Sequence, residues 1–325
     1  MSSRSKLKLS LASLCAFFAA TQAHAQATYP EKPITLVVPF AAGSGSDNVA
    51  RILAKELGDS LKATVIVDNK PGANGSIGAQ LVARAKPDGY TLLLGSATVN
   101  AANYAFSSAK LGYDAASFDF ISGLSSADIY LYMPSTRSWK NIEELIADAR
   151  KNPGTFSCAS GNAVTQVACE YFKRKAGVDV VTVPYKGNAQ SLTDLVGGQL
   201  SYAFSDGSAA QVFLASKKIR ALAVAADKRN PLSPDIATFD EQGIKDFHLT
   251  GWAAVFAPAG TPQPIAEKLN AALLKIIDSP DMVQSRSKSG ASAMRMDLAT
   301  GKRFVDREVQ NWKQYVKVSG VKTDQ

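Results

Sequence analysis

The stretch VVPFAAGSGSDNVARILAKEL, residues 37–57, joins three kinds of local sequence. The apolar run 37–40 predicts a strand, and the Ala-, Gly- and Ser-rich segment 41–46 predicts a loop. Asp47 then opens a segment with apolar residues at helical spacing. A strand that enters a helix through a glycine-rich loop suits an anion, because unpaired N–H groups and the helix dipole point into the loop.

This loop does not match the common nucleotide motifs. A Walker-type phosphate loop requires Gly-Lys-Ser/Thr, whereas Gly45 is followed by Ser46 and Asp47. A dinucleotide fingerprint that begins at Gly43 requires a small residue where Asn48 stands. Asp47 would also repel a phosphate, or it serves as a helix N-cap. The loop by itself leaves an anion site and a plain structural turn both open.

The strand–loop–helix order recurs along the chain, which predicts an α/β fold with a mainly parallel sheet covered by helices. The length is sufficient for two domains. The predicted strands beyond the first are 63–67, 90–94, 129–133, 156–159, 180–185, 201–204, 221–226 and 249–257. The predicted helices beyond the first are 77–85, 142–150, 164–175, 190–196, 209–217, 264–277 and 301–318.

Five loops at the carboxyl ends of predicted strands have a common composition. In an open α/β sheet, ligands bind at these ends. The loops contain small, hydroxylated and amide residues, no arginine, and the single cation Lys186. Such a set favours a small polar anion bound by N–H, hydroxyl and amide donors. The loops are FAAGSGSD (40–47), GSATVN (95–100), ASGNAVTQ (159–166), PYKGNAQS (184–191) and FSDGSA (204–209).

The N-terminus has the pattern of a secretory signal peptide. Arg4, Lys6 and Lys8 form a basic start, 9–20 is a short apolar stretch, and an A-x-A site ends at Ala25. We expect this signal peptide to direct export to the periplasm. We also expect cleavage after Ala25, which removes residues 1–25.

Composition excludes two classes of partner. The formal net charge of +8 falls to +5 on cleavage, and the remaining charges are interspersed, unlike the basic blocks of nucleic-acid-binding proteins. No later apolar run approaches the roughly 18 residues of a spanning helix, so we expect a chain that is not embedded in a membrane.

Two cysteines, Cys158 and Cys169, remain after cleavage. In an oxidising compartment such a pair favours a disulfide over free thiols. Cys158 ends a predicted strand and Cys169 lies early in the next predicted helix, so the two can pack together. The spacing does not fit a metal site, and no metal is expected.

Catalytic motifs are not recognisable. His248 is the single histidine after residue 25, and no G-x-S-x-G elbow or H-x-x-x-H pair occurs. Asp47, Asp206 and Lys186 form a conceivable acid–base set, although caps and ligand contacts explain them equally well. A binding protein without a cofactor is therefore favoured over an enzyme. An exported enzyme that uses Asp206 or Lys186 on a carboxylate stays open as the alternative.

Six ordered motifs resemble the solute-binding proteins of tripartite tricarboxylate transporters, the Bordetella uptake gene family. The similarity runs from Tyr29 to the C-terminus and is specific for the family, but it does not identify the ligand. The motifs are YPEKPITLVVPFAAGSGSDNVAR, VDNKPGANGSIGA, KPDGYTLLLG, VPYKGNAQSLTDLVGGQ, IRALAVAA and FAPAGTPQPIAEKLN.

The resemblance implies a type II periplasmic binding protein fold, with two α/β domains joined by two crossover segments. Domain one would comprise residues 26–124 and 251–325, and domain two residues 125–250. A ligand would lie in the cleft while the domains close on it. The resemblance also implies a monomer that delivers its ligand to the membrane components of a tripartite tricarboxylate-type transporter. A sensor that presents its closed form to a membrane receptor is a second alternative.

The resemblance further implies a small carboxylate ligand: a di- or tricarboxylate, an acidic amino acid or an aromatic acid. One carboxylate would be held by backbone groups and water near the first glycine loop. We expect the N–H groups between Ala42 and Asp47 to supply the donors. The residues that match the family's ligand-binding positions are Phe40, Ala42, Gly43, Ser44, Gly45, Asp47, Ser96, Thr98, Ser160, Asn162, Thr165, Tyr185, Lys186, Gly187, Ser205 and Asp206.

Overall fold

The computed structural model describes residues 29–107 and 111–321, so the predicted signal peptide lies outside the described residues. The strands are β1 (Ile34–Val38), β2 (Val65–Asn69), β3 (Thr91–Ser96), β4 (Phe118–Pro134), β5 (Phe156–Ser160), β6 (Val180–Pro184), β7 (Tyr202–Asp206), β8 (Ile219–Val224), β9 (Thr250–Pro258) and β10 (Ala291–Ala293).

Helices connect these strands in a mixed α/β fold. They are α1 (Gly45–Leu61), α2 (Ser76–Ala83), α3 (Asn103–Ser107), α4 (Ile142–Lys151), α5 (Ala163–Ala176), α6 (Asn188–Val196), α7 (Gly207–Ala215), α8 (Gln263–Ile276), α9 (Pro280–Ser289) and α10 (Leu298–Ser319). A π-helical turn, Thr98–Ala102, precedes α3.

The strands form two sheets that share β4. In the first sheet the order is β2–β1–β3–β9–β4–β10, with β1 parallel to β2 and β3. In the second sheet the order is β6–β5–β7–β4–β8, with β5 parallel to β6 and β7. The parallel strands of each sheet therefore end on one side, as the βα pattern predicts.

The long strand β4 passes from one sheet to the other without a break. Its first part, as far as Asp128, pairs with β9, and from Ile129 it pairs with β7 and β8. The register shifts between Phe120 and Ser122 and again between Gly123 and Ser125. Such irregularities bend a strand and increase its twist, which lets one strand follow two sheets.

Alternate residues of the parallel strands enter different cores. Leu36 and Leu92 belong to the core that contains α1 and α8, whereas Val37 and Leu93 belong to the core that contains α2 and α10. Burial on both faces explains why these strands read as continuous apolar runs. A smaller third core lies around α6 and α7 of the second sheet.

Several elements differ from the sequence prediction, and the short elements α3 and β10 are among those that it does not contain. The prediction begins a strand at 129, but β4 already starts at Phe118 because β9 pairs with its first part. Residues 98–102 form a π-helical turn where a loop is predicted. The segment between 277 and 301, for which no helix is predicted, contains α9.

Helix α10 lies against parts of the chain that belong to both sheets, because it contacts α5, the π-helical turn and β4. Its buried face includes Val305, Val309 and Trp312. Among the described residues, none of the helices has the length and apolarity that crossing a bilayer requires.

Candidate functional site

The carboxyl ends of the parallel strands in the two sheets meet directly. The loop after β1 leads to Gly45, the first residue of α1, and the loop after β7 leads to Ser208 in the first turn of α7. A Cβ atom at Gly45 would clash with the hydroxyl oxygen of Ser208. Two helix N-termini therefore face each other across this junction.

The loop of residues 40–47, here called the first loop, is held by Asp47 from below. Asp47 is buried, and its carboxylate accepts hydrogen bonds from the N–H of Gly43 at 2.8 Å, from Asn69 Nδ2 at 3.0 Å and from Arg51 Nε at 2.9 Å. The N-cap of α1 is Ser44, which accepts from the N–H of Asp47 at 3.2 Å.

These contacts define the charge state of Asp47. Burial alone would raise the pKa of its carboxyl, but the hydrogen bonds from Arg51, Gly43 and Asn69 hold the pKa below its ordinary value. The buried carboxylate is therefore ionised at neutral pH, and it accepts the hydrogen bonds that fix the first loop.

The first loop keeps part of its expected donors. The N–H of Gly43 bonds to Asp47, and that of Ser44 bonds to the carbonyl of Ala41 at 3.2 Å, so neither is left for a ligand. Within the described residues no hydrogen bond uses the N–H groups of Ala42, Gly45 or Ser46. Phe40 is half-buried behind the loop, and its carbonyl accepts from Asn69.

The loop after β3 is fixed internally. The N–H of Ser96 donates to Asn100 Oδ1 at 3.2 Å, and Ser96 Oγ accepts from the N–H of Val99 at 3.3 Å. Thr98 is buried in the π-helical turn. Ser96 is the more accessible of the two predicted residues of this loop.

The start of α5 uses two predicted ligand residues as a capping box. Asn162 Oδ1 accepts from the N–H of Thr165 at 3.0 Å, and Thr165 Oγ1 accepts from the N–H of Asn162 at 3.1 Å. Thr165 is fully buried, so its role in the structure is the cap.

The loop after β6 carries Tyr185, Lys186 and Gly187. Tyr185 donates to Asp194 Oδ2 at 2.9 Å, and its pKa is raised by burial and by this carboxylate. Lys186 is exposed, and no ion pair joins it to another described residue. Gly187 is extended and precedes α6.

Asp206 is the N-cap of α7. One of its oxygens accepts from the N–H groups of Ser208 at 2.9 Å and Ala209 at 3.2 Å, and also from the Ser208 hydroxyl. The other accepts from Asn188 Nδ2 at 3.3 Å. Ser205 is fully buried beside it.

The predicted residues thus lie in three different settings. The first loop and the loop after β7 meet through Gly45 and Ser208, and Asn188 links the loop after β6 to Asp206. Ser160, whose carbonyl accepts from the N–H of Tyr185 at 2.8 Å, lines a cavity of about 690 Å³ between α5, β6 and the end of α10. Thr98, Thr165 and Ser205 are buried in the framework.

Three polar residues at this junction are absent from the predicted set. They are Asn69, Asn188 and Ser208, which bond to Asp47 or Asp206. Asn188 and Ser208 lie inside the quoted carboxyl-end loops, so the loop pattern was sufficient to include them. Asn188 Oδ1 is buried and has no hydrogen-bond partner among the described residues.

The remaining candidate groups lie outside this junction. His248 contacts Asp227 Oδ1 at 2.8 Å through Nδ1 and Asp240 Oδ2 at 3.0 Å through Nε2. Within residues 29–107 and 111–321, His, Cys, Asp and Glu side chains form no cluster suited to a metal ion. Cys158 and Cys169 are joined by a disulfide that ties β5 to α5, with both residues buried.

Comparison with known proteins confirms the fold and the family that the sequence motifs predict. Residues 49–321 match the model of the family described as "Tripartite tricarboxylate transporter family receptor". The solved structure of the periplasmic binding protein BugD is 33% identical, with a TM-score of 0.84, and the match covers 91% of this chain and 100% of BugD.

Two similar structures contain carboxylates. MatC (Rpa3494) of Rhodopseudomonas palustris, solved with bound malate, is 30% identical with a TM-score of 0.82, and 89% of this chain and 100% of MatC align. Rpa4515 of R. palustris, solved with adipate, is 29% identical with a TM-score of 0.86, and 91% of this chain and 100% of Rpa4515 align.

Proposed function

The chain belongs to the tripartite tricarboxylate transporter receptor family, and on that premise we propose that it captures a small carboxylate in the periplasm and delivers it to the membrane components of such a transporter. The observation that carries the proposal is the junction at Gly45 and Ser208. Two helix N-termini face each other there, beside N–H groups that no described residue uses.

The proposed ligand site is the cleft between the two sets of carboxyl-end loops. In the first loop the donors are the N–H groups of Ala42, Gly45 and Ser46, and Asp47 keeps the loop in shape. Lys186 supplies a cation from the opposite side. The malate and adipate in the two Rhodopseudomonas structures support a di-acid as the ligand class.

The mechanism that we propose is closure of two domains, residues 26–124 with 251–325 and residues 125–250. β4 and the chain entering β9 would be the two crossovers, and the irregular register of β4 supports bending there. A ligand that contacts both sets of loops would favour the closed form. Scattering with saturating ligand should then show a more compact particle, and unchanged dimensions would contradict closure.

A panel of carboxylates, read by thermal unfolding, tests the ligand class. An acid present at a hundred times its Kd should add about 2.7 kcal/mol to the free energy of unfolding. Malate and adipate should be included, with the corresponding amides as neutral controls. Turnover of any acid would contradict a pure binding function, and stabilisation by the amides as strong as by the acids would contradict carboxylate recognition.

The variant Gly45→Val tests the position of the site. The valine side chain would collide with Ser208 and cover the donors of the first loop, so affinity for the acid found in the panel should fall about tenfold or more. Ser208→Gly in the same chain should restore part of the affinity, because it removes the atoms that collide. If Gly45→Val binds like the unmodified protein, the acid binds elsewhere.

A further inference from the structure

Helix α9 is anchored to both helices of the junction. At its start, Ser279 Oγ donates to Glu56 Oε1 of α1 at 2.7 Å. At its end, the carbonyl of Ser289 lies so close to Gly207 of α7 that a Cβ there would clash with it. The last turn of α9 therefore lies against the first turn of α7, next to the contact between Ser208 and Gly45.

Arg286 occupies this last turn and is buried. It lies on the same face of α9 as Met282, one helical turn closer to α7, and only 8% of its surface is exposed. Its Nη1 atom is buried without a hydrogen-bond partner, and no carboxylate among the described residues pairs with the guanidinium. Burial lowers the pKa of the guanidinium, as expected when its charge is uncompensated.

The helix N-termini next to α9 already have carboxylates of their own, because Asp47 lies in the first turn of α1 and Asp206 caps α7. No ion pair among the described residues joins either of them to Arg286. A buried cation without such a partner is costly unless a bound anion compensates it. A planar guanidinium also matches the two oxygens of a carboxylate.

We propose that Arg286 forms a carboxylate-binding site where α9 packs against α1 and α7, beside the cleft. The carboxylate comes either from a free small acid or from the second acid group of the captured ligand. The five carboxyl-end loops contain no arginine, so α9 adds a guanidinium that these loops do not provide.

The competing explanation is that Arg286 only neutralises the C-terminal end of α9. Arg286→Met separates the two, with Lys288→Met, an exposed cation of the same turn, as the matched control. In a low-salt buffer without carboxylates, removal of an uncompensated charge should raise the unfolding temperature by about 2 °C. If Arg286 only caps α9, Arg286→Met should lower that temperature and Arg286→Lys should restore it.

Acetate, with acetamide as its neutral control, identifies a free acid. For a free-acid site, acetate but not acetamide should raise the unfolding temperature of the unmodified protein and of Lys288→Met. Arg286→Met should lose this increase. This arm does not depend on the proposed function.

Binding of malate and adipate tests whether the carboxylate is the second acid group of the captured ligand, and this test rests on the proposed function. If a captured di-acid supplies the carboxylate, the affinity of Arg286→Met for the di-acid that the unmodified protein binds should be at least tenfold lower. Acetate should then have no effect on either protein. The inference is overturned if Arg286→Met equals the unmodified protein with acetate, malate and adipate alike. Failure of the di-acids alone, with the acetate effect intact, would count against the proposed function only.

Discussion

The first loop and the loop after β7 face each other, and each contains an aspartate, but the two carboxylates have different roles. Asp47 lies beneath its loop, nearly inaccessible, and joins the loop to α1 and to β2. Asp206 lies at the start of α7 and caps it. An aspartate in a carboxyl-end loop can therefore fix the backbone of its own loop or helix start.

Asp47→Ala should produce the largest loss of stability. The change leaves the N–H of Gly43 and the amide of Asn69 without their acceptor, and bonds to a buried carboxylate contribute about 1.5 to 3 kcal/mol each. Arg51 adds little because it is 57% exposed. We expect the free energy of unfolding, from urea titration, to fall by about 3 kcal/mol. Asp59→Ala, an exposed position of α1, should be nearly neutral. If the two changes lowered the free energy of unfolding equally, Asp47 would not stabilise the first loop.

Removal of the disulfide tests how the second sheet is supported. Cys158→Ala with Cys169→Ala opens a covalent link across 11 residues of sequence. The expected loss is about 2 to 3 kcal/mol, measured by urea unfolding. Affinity for the ligand should be unchanged because both cysteines are buried in a hydrophobic core. Two free thiols in non-reduced protein, detected by mass spectrometry, would show that the bond does not form.

Asp206→Ala should destabilise less than Asp47→Ala. Loss of an N-cap typically costs about 1 to 2 kcal/mol, and water can reach the freed donors because Asp206 is only half-buried. Asn141→Ala removes the N-cap of α4, away from the junction, and serves as the control. Both changes should lower stability similarly, while Asp206→Ala alone should also weaken ligand binding. If Asp206→Ala lowered the free energy of unfolding as much as Asp47→Ala does, the two aspartates would not differ in their structural roles.

The smallest effect concerns pH. Because the folded pKa of Asp47 lies below its ordinary value of 3.8, its ionisation contributes stability above that pH. The contribution is lost as the pH falls below 3.8 and through the folded pKa. The difference in unfolding free energy between the unmodified protein and Asp47→Asn should therefore narrow in acid. A constant difference from neutral pH to about pH 2.5 would show that ionisation of Asp47 does not stabilise the fold.

Sequence pattern predicted most strands and helices because apolar periodicity and turn residues are local signals. It did not predict α9, whose buried face contains only Met282 and Arg286 and so lacks an apolar stripe. The available signal was at the ends, where Ser279 and Pro280 open the helix and Gly290 follows it.

The site was predicted at the level of loops, and less well at the level of side chains. Loop composition indicated where the carboxyl ends would gather. It could not tell whether Asp47, Thr165 or Asp206 bonds to its own backbone or to a ligand, because both uses favour the same residue types. Arg286 was beyond reach, since its burial depends on how α9 packs against α7.

The pairing of β3 with β9 has a consequence for the order in which the protein assembles. Leu93 pairs with Phe256, so the first sheet lacks an inner strand until a segment more than 150 residues further along the chain joins it. The strands of the second sheet, from β4 to β8, all lie between Phe118 and Val224. Contacts that are distant in sequence form slowly, and nearer ones form first. We therefore expect the first sheet, although it contains the first three strands of the chain, to be completed after the second.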